Sequence, residues 1–597
     1  MIEKRIIPEN LRRARRTLDE INSVKTVNNW EYDKGRDNWY LKIQISLNLN
    51  SDIIPNISNW YIVTGEEYPL SNIEIYPSIT NSLTFTLQHQ SCNFYTYNNL
   101  WRCGKLCLDI SGIKEKSSEE KYYKNPNYKL YWYVKRAIEW IIQASKNSLV
   151  QKNDFFELPD FFEKYNTDIF VFNEDNLSFM KWNTITQNRG YAYLSIYDKN
   201  KKNTQNIYVL RKFTDLKNNE LFVCNWGELF NNLEISTICG LWIKLKKTPV
   251  VNIWQAPMTI SELQKIFNEE NIDLFDFLQQ VDETKIRNRQ QNLLLVGFPI
   301  PKKISSKNEK IFWQAIKLPI LSTRKSARGF RHNKLIYYDK QNILTPNRNL
   351  CWIKSQNLNP NEISVRGKLD INIINKKFLL IGAGCIGSTF SELLIRAGAQ
   401  DITIIDNDTL TFGNLSRHTL NIDDISSSKA DNLALRLNKL SPHAKVKSLN
   451  KLISSGFNFN DFDVILECSG SNEVLQVIEN STLMKETSLL SISIGIDAEY
   501  LFLSFHNKNK FNFYNFKNLI KNYIKSDEEL QKYNNLREGF GCWHPIFPAR
   551  IDDIWLTSCT AFNFFEQCIL GNKSELSIVY QKNKDGFTYH YKEVNKI

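Results

Sequence analysis

The apolar run Phe378–Ile381 breaks into Gly382-Ala383-Gly384-Cys385-Ile386-Gly387, and this break constrains the chain more than any other stretch. Four apolar residues in a row read as a strand buried on both faces. Phe390, Leu393, Leu394 and Ala397 then recur at helical spacing, and a second apolar run, Ile402–Ile405, ends on Asp406. Strand, glycine turn, helix, strand and acid make a nucleotide-binding βαβ unit. Gly382 and Gly384 allow a tight turn and close phosphate approach, and Gly387 lets the helix pack on the sheet. The helix N-terminus then offers unpaired N–H groups to phosphate. Asp406 stands 19 residues beyond Gly387, where a carboxylate can accept from ribose hydroxyls.

Such a turn serves NAD as readily as ATP, and the residues that follow decide between them. Asp406-Asn407-Asp408 leads into Asn414-Leu415-Ser416-Arg417-His418, and Lys429 comes twelve residues after Arg417. A dehydrogenase has no use for so many phosphate-seeking groups past the ribose acid. A site that expels pyrophosphate from ATP does, because negative charge builds on the phosphates. The segment closely resembles the ThiF/MoeB and ubiquitin-activating adenylyltransferases, which share GxGxxG, DxD, NLxR and a downstream lysine on a Rossmann-like fold. The resemblance implies adenylation of a protein's C-terminal carboxylate with ATP and Mg2+. It assigns Asp406 to ribose, Asn414 and Arg417 to the phosphates, and Lys429 to the leaving pyrophosphate. One departure stands out. The family's next strand ends on an aspartate that holds magnesium, whereas Glu467-Cys468-Ser469-Gly470 puts glycine there. Asp408 or Glu467 is then the candidate ligand, or the ion is held mostly by phosphate and water.

At 597 residues the chain is too long for one core and should form three or four domains. With 42% hydrophobic and 23% charged residues it reads as globular, and its apolar runs fall short of a membrane span. The N-terminus is a basic amphipathic helix without a cleavable apolar stretch. Eleven cysteines without paired CxxC spacing argue for a reducing cytoplasm and against structural zinc. The charge of +12 accompanies a bias to Asn, Lys and Ile, and no polybasic or RNA-binding motif argues for nucleic acid.

Residues 1–165 read as a basic helix, strands at Trp39–Leu47, Trp60–Thr64 and Leu83–Leu87, a cysteine loop, and a long helix over Leu130–Ala144. The segment Gly104-Lys105-Leu106-Cys107-Leu108-Asp109-Ile110 closely resembles the active-site signature of ubiquitin-conjugating enzymes, and the order of elements matches theirs. The resemblance implies an α+β conjugating-type domain in which Cys107 carries an acyl group as thioester. The family's His-Pro-Asn triplet is not intact. His89 matches in order, Asn93 or Asn99 is the candidate oxyanion donor, and Cys103 lacks the Leu-Asp-Ile context.

Residues 166–365 read as a mixed linker domain of alternating strands with one amphipathic helix over Ser261–Val281. Arg324, Arg328 and Arg331 form a basic cluster best read as solvated surface. Gly297 ends a strand without a second glycine, so no phosphate loop forms there.

Residues 366–597 hold the nucleotide unit, with Arg366 just before its first strand as a candidate phosphate contact. Beyond it, Gly539-Phe540-Gly541-Cys542-Trp543-His544 reads as a flexible loop whose thiol can take an acyl group from an adenylate, with His544 as proton partner. Cys385, Cys468, Cys559 and Cys568 read as packing thiols.

The α/β and α+β multidomain order, conjugating-like then linker then adenylating, resembles the bacterial fusion proteins of CBASS anti-phage operons. That likeness implies a cytoplasmic homodimer that joins the C-terminus of a cGAS/DncV-like nucleotidyltransferase, or of a ubiquitin-like protein, to an amine on a target. A ThiF/MoeB-like activator for sulfur carriers or peptides, with Cys107 structural, is the alternative enzyme. A nucleotide-sensing scaffold without turnover is the alternative outside enzymology.

Overall fold

The computed structural model describes the chain except residues 1, 4, 98, 109–125, 164–166, 198–204, 234–237, 288–291, 324–326, 328–334, 482–486, 508–510, 525–536, 539–543, 546–547, 584, 586–588 and 596–597. It divides into two compact units, one of residues 1–223 with 235–357 and the other of residues 224–234 with 358–597. None of its described helices is long and apolar enough to cross a membrane.

The first unit begins with helix α1 (Glu9–Thr17) and an antiparallel meander, β1 (Asn38–Ser46), β2 (Ile57–Gly65) and β3 (Ile73–Pro77). Period-two alternation along β1 sends Trp39, Leu41, Ile43 and Ile45 to one face. There they meet Leu11, Ala14 and Leu18 around α1, and Leu130, Val134 and Ile141 of helix α2 (Pro126–Ser145). The opposite face carries Tyr40, Tyr61 and Tyr76, whose rings surround Trp101 at centroid distances of 5.7, 5.4 and 5.9 Å. Trp101 thereby seats the cysteine loop against the sheet. Leu83–Leu87, expected as a strand, contributes only a bridge from Thr86 to Ile253. The reason is that the carbonyls of Leu83 and Phe85 accept from the Asn93 side-chain amide instead of a neighbouring strand.

The same unit continues through strands β4 (Ile169–Phe172), β5 (Arg189–Tyr197), β6 (Ile207–Thr214), β7 (Glu220–Val223), β8 (Ile238–Lys244), β9 (Asn292–Pro301), β10 (Asn308–Leu318) and β11 (Trp352–Asn357). Their order is β7-β6-β4-β11-β10-β9-β8-β5, and β5 pairs again with β6, so the sheet closes on itself. Gly297 sits in β9 because a Cβ there would lie 2.4 Å from the Trp313 ring. The single helix expected over Ser261–Val281 is two, Ile260–Glu269 and Leu274–Gln280. Asn271 at φ +59° ends the first, and the Asp273 side chain caps the second.

The second unit is an eight-stranded sheet. Its parallel half orders β14 (Lys445–Leu449), β13 (Asp401–Ile405), β12 (Lys377–Ile381), β15 (Val464–Glu467) and β16 (Ser488–Ile494). Antiparallel β17 (Tyr500–Asn507), β18 (Glu575–Lys582) and β19 (Tyr589–Asn595) complete it. From β12 the chain passes through helix α3 (Cys385–Arg396) to β13 on one side, while β15 lies on the other. The strand order reverses at β12, and a crevice opens at its carboxyl end. Helix α5 (Ile551–Leu570) backs α3, with Phe562 and Phe565 against Phe390. Cys568 is buried there, but Cys559 is exposed, which corrects its reading as a core thiol.

Residues 224–234 join this unit through Trp226, which stacks on His443 with centroids 5.5 Å apart. The amides of Gly227 and Glu228 donate to Pro442 and Ala444 carbonyls at 2.8 Å.

The two glycines at the start of α3 do different work. A Cβ on Gly387 would lie 1.9 Å from the Gly382 carbonyl oxygen, whereas one on Gly384 would meet nothing within 4 Å. Gly387→Ala should therefore lower stability by about 1–3 kcal/mol, with Gly384→Ala close to the parent. The midpoints of chemical denaturation of the full chain check both.

Candidate nucleotide site and candidate thiol site

The crevice at the end of β12 is built on one peptide. Gly382 turns with φ +92°, which its lack of a Cβ permits, since a Cβ would sit 2.7 Å from the Ser469 amide nitrogen. Ala383 follows, and both of its backbone groups are tied down. Its N–H donates to Asp406 Oδ2 at 2.6 Å, and its carbonyl lies 2.6 Å from His418 Nε2. His418 Nδ1 accepts from the Leu420 N–H, so the ring proton is on Nε2 and points at Ala383. Burial pushes the His418 imidazolium down, and the facing Ala383 carbonyl only partly offsets this. The neutral ring is thus the form that holds the turn. In sequence His418 simply follows the Asn414–Arg417 motif, and its spacing from Ala383 carries no local signal.

Around this turn stand the other expected residues. Asp406 Oδ1 accepts from the Asp408 N–H at 2.7 Å. Lys429 is the first residue of helix α4 (Lys429–Asn438), and its Nζ lies 3.1 Å from Asp408 Oδ2. The Lys429 side chain is 11% exposed and that of Asp408 64%, so the pair spans from the protein interior to solvent. Asn414 is used locally: its Oδ1 accepts from the N–H and hydroxyl of Thr411, closing a capping box. Arg417 is half-buried, and its charge acts on the Cys385 thiol, which burial otherwise pushes up. Arg366 is exposed. Gly384 leaves open space at the N-terminus of α3.

Glu467 does not fit the metal role expected as one option. It is fully buried at the end of β15. Its Oε1 accepts from the Ser469 N–H, the Ser469 hydroxyl and the Gly470 N–H, and its Oε2 from the Ser491 hydroxyl. Those donors brace the turn after β15 and occupy both oxygens. Among the described residues no group of three His, Cys, Asp or Glu is placed to hold a metal ion.

The second site is the cysteine loop. Leu106 and Leu108 are buried and Cys107 between them is exposed, the alternation of an extended segment. The Leu106 N–H donates to Ile75 in β3, and the Cys107 N–H to the His89 carbonyl at 2.9 Å. Cys107 opens into a cleft of about 800 Å³, shared with His89, Arg136, Glu139, Trp140 and Asp154. Cys103 is half-buried, its sulfur 3.6 Å from the Thr96 hydroxyl. Asn93 is unsuited to the oxyanion role. It is buried, its amide donates to the Leu83 and Phe85 carbonyls, and its Oδ1 accepts from Arg102. Asn99 donates to Thr96 Oγ1 at 2.6 Å and accepts from Arg36. Asp109 and Ile110 of the signature, Cys542 with Trp543, and Arg324, Arg328 and Arg331 lie outside the described residues. Arg537–Glu538 pairs antiparallel with His544–Pro545, the segments on either side of the Cys542 loop in sequence.

Three buried imidazoles of the second unit share one behaviour. Burial pushes His418 and His443 down and takes His506 to about 4. In the unfolded chain each binds a proton below about pH 6.5. Their contribution to stability is therefore present above that value and is lost as pH falls toward the depressed folded values. Stability should drop between pH 6.5 and 4, and His506→Gln should flatten the drop, as denaturation midpoints across that range would show.

Residues 147–358 match the family described as the Cap2 central linker domain, and residues 355–513 match the ThiF family. The chain is 29% identical over 582 residues to the ATP-dependent ubiquitin transferase-like protein Cap2 of Enterobacter hormaechei subsp. hoffmannii, covering 94% of both chains. It is 30% identical over 135 residues to the adenylyltransferase and sulfurtransferase UBA4 of Yarrowia lipolytica, covering 22% of this chain and 34% of that one. A crystal structure of E. coli MccB with ATP aligns with 39% of this chain and 67% of its own, at 15% identity and a TM-score of 0.28. A region of the ThiF family following a region of the Cap2-linker family, in a chain similar to Cap2 over 94% of both lengths, marks an activating-type adenylating enzyme.

Proposed function

We propose that the chain uses ATP and magnesium to activate the C-terminal carboxylate of a protein as an acyl-adenylate. The acyl group then passes to Cys542, next to Cys107 of a conjugating-type N-terminal domain, and finally to an amine. The observation that carries this is the Gly384 opening at the N-terminus of α3, with Asp406 tied to the same turn and the Lys429–Asp408 pair beside it.

Free N–H groups at a helix N-terminus favour phosphate, and the absence of a Cβ at Gly384 lets it approach the backbone. Each Asp406 oxygen accepts one backbone N–H and keeps a further lone pair for a ribose hydroxyl. Arg417 and Lys429 supply the positive charge that a departing pyrophosphate needs, and Asn414 is the third residue assigned to the phosphates. Asp408 is the exposed carboxylate of the turn and fits a magnesium ion held otherwise by phosphate oxygens and water. Magnesium, when bound, neutralises phosphate charge. The attacking carboxylate oxygen joins the α-phosphorus, the bond to pyrophosphate breaks, and a thiolate next displaces AMP from the acyl carbon.

The resemblance to the CBASS fusion proteins extends the reading to its partners. It supports a cGAS/DncV-like nucleotidyltransferase C-terminus as acyl donor, an amine on a cellular target as acceptor, and a cytoplasmic homodimer acting in anti-phage defence.

Given ATP, magnesium and the donor, the protein should exchange pyrophosphate into ATP. Arg417→Ala and Lys429→Ala should each slow the exchange by roughly 10²-fold or more; exchange at the parental rate in both would remove the phosphate assignment.

The relay has its own test. Cys542→Ala should keep exchange and lose every thioester, because no thiol takes part in adenylation. Cys107→Ser should accumulate an ester that survives thiol reductant and yields to hydroxylamine, while Cys107→Ala loses the amide product. Gels run with and without reductant, followed by peptide mapping, distinguish these species. Normal amide product from Cys107→Ala would leave only the activating step.

A further inference from the structure

The cleft at Cys107 holds a second reactive group, and the linker domain fixes it. His89 faces the same cleft as Cys107, and its carbonyl accepts the Cys107 N–H, so the two residues lie on adjacent segments. Its backbone is in the left-handed region, at φ +54°, which non-glycine residues rarely adopt without a local reason. The reason here is Glu157. One of its oxygens, Oε2, accepts the His89 N–H at 2.9 Å and lies 3.4 Å from His89 Nδ1. Three residues on, Asp160 accepts the Cys92 N–H at 2.8 Å, so segment 157–160 braces segment 89–92 at two points. Both acids fall within the stretch that matches the Cap2 central linker domain. The imidazole is 43% exposed and Glu157 36%, so the pair is open to an incoming substrate.

A carboxylate beside Nδ1 favours the tautomer with its proton on that nitrogen, which leaves the Nε2 lone pair free to accept. We propose that His89 is the general base for aminolysis at Cys107, with Glu157 of the linker as its positioning residue. This rests on the reading of Cys107 as the acyl carrier. The amine nitrogen attacks the thioester carbonyl and forms the C–N bond. The C–S bond breaks, and Cys107 leaves as thiolate. Before the attack His89 Nε2 takes one proton from the substrate ammonium and later releases it to solvent; after it, the second proton lost by the amine nitrogen passes to the Cys107 thiolate. Among the described residues, Arg136, Glu139 and Asp154 are the other charged groups lining the cleft. The linker domain is then part of the conjugating centre, beyond a role in spacing two modules.

The test bypasses adenylation. The full chain is charged directly with a Gly-Gly peptide thioester of mercaptoethanesulfonate, and the adduct at Cys107 is quantified by peptide mapping. Its decay is then followed with L-lysine and, separately, with hydroxylamine, whose nitrogen is largely unprotonated near neutral pH. His89→Gln should slow transfer to lysine on the order of 10²-fold and leave transfer to hydroxylamine within a few-fold. Glu157→Gln should reproduce the same selective loss at about 10-fold or more, and Glu157→Asp should restore part of the rate. Equal losses with both amines, or no loss with lysine, would overturn the proposal while Cys107 still carries acyl. Absence of any adduct at Cys107 would overturn the reading of Cys107 itself, and this proposal with it.

Discussion

The second unit depends on how the peptide at Ala383 is held. A tight turn after a buried strand leaves backbone groups pointing into a crevice, and any that are mispaired would drift with the loop. Here the Ala383 N–H and carbonyl are both taken, by Asp406 at the end of β13 and by His418 beyond the 3-10 turn Phe412–Ser416. Two separate segments are thus referenced to one residue. The adjacent Asp408 extends the chain of contacts to Lys429 and so to the start of α4. Groups that act on phosphate need fixed positions relative to each other, because electrostatic stabilisation is useful only when it requires no reorganisation. A single pinned peptide supplies that fixity.

Much of this was legible in the sequence, for a physical reason. Glycines at Gly382 and Gly387 are dictated by sterics within a few residues, and the buried strands on either side read directly as apolar runs. What could not be read were contacts made by residues of ordinary type across long separations. His418 meets Ala383 35 positions away, and Glu467 looks like any carboxylate until its donors are counted. The helix break at Asn271 was hidden because Leu274 follows Phe267 by seven residues, so the apolar spacing resumes in helical phase after the polar Glu270 and Asn271. Residues 224–234 look like a continuation of the preceding strands. The ring stack of Trp226 on His443, with the Gly227 and Glu228 amides donating to Pro442 and Ala444, shows that they belong with the second unit.

The cysteines show how burial sorts thiols that composition cannot. Burial drives Cys92 and Cys568 up to about 12, and pushes Cys468 up as well, which keeps each protonated and inert near neutral pH. Cys107 is exposed because its neighbours carry the burial for it. Leu106 and Leu108 anchor the segment in the core and turn the thiol outward. Gly104 has its own constraint, since a Cβ there would lie 2.6 Å from the Asn93 side chain. The local signature Gly-Lys-Leu-Cys-Leu is therefore also a packing pattern, and Asn93 belongs to that packing.

The glycine at position 470 can be argued from the same contacts. Its φ is +66°, and a Cβ there would meet nothing within 4 Å, so conformation and not crowding selects glycine. The conformation follows from Glu467, whose Oε1 gathers the Ser469 and Gly470 N–H groups and curls the turn back over the end of β15. A carboxylate at this position would have to tolerate a left-handed backbone and stand within reach of a second, buried carboxylate. The turn has instead placed its acid inside, satisfied by four donors, and left the crevice side without one. The exposed negative charge of the site then falls to Asp408, whose partner Lys429 ties it to α4.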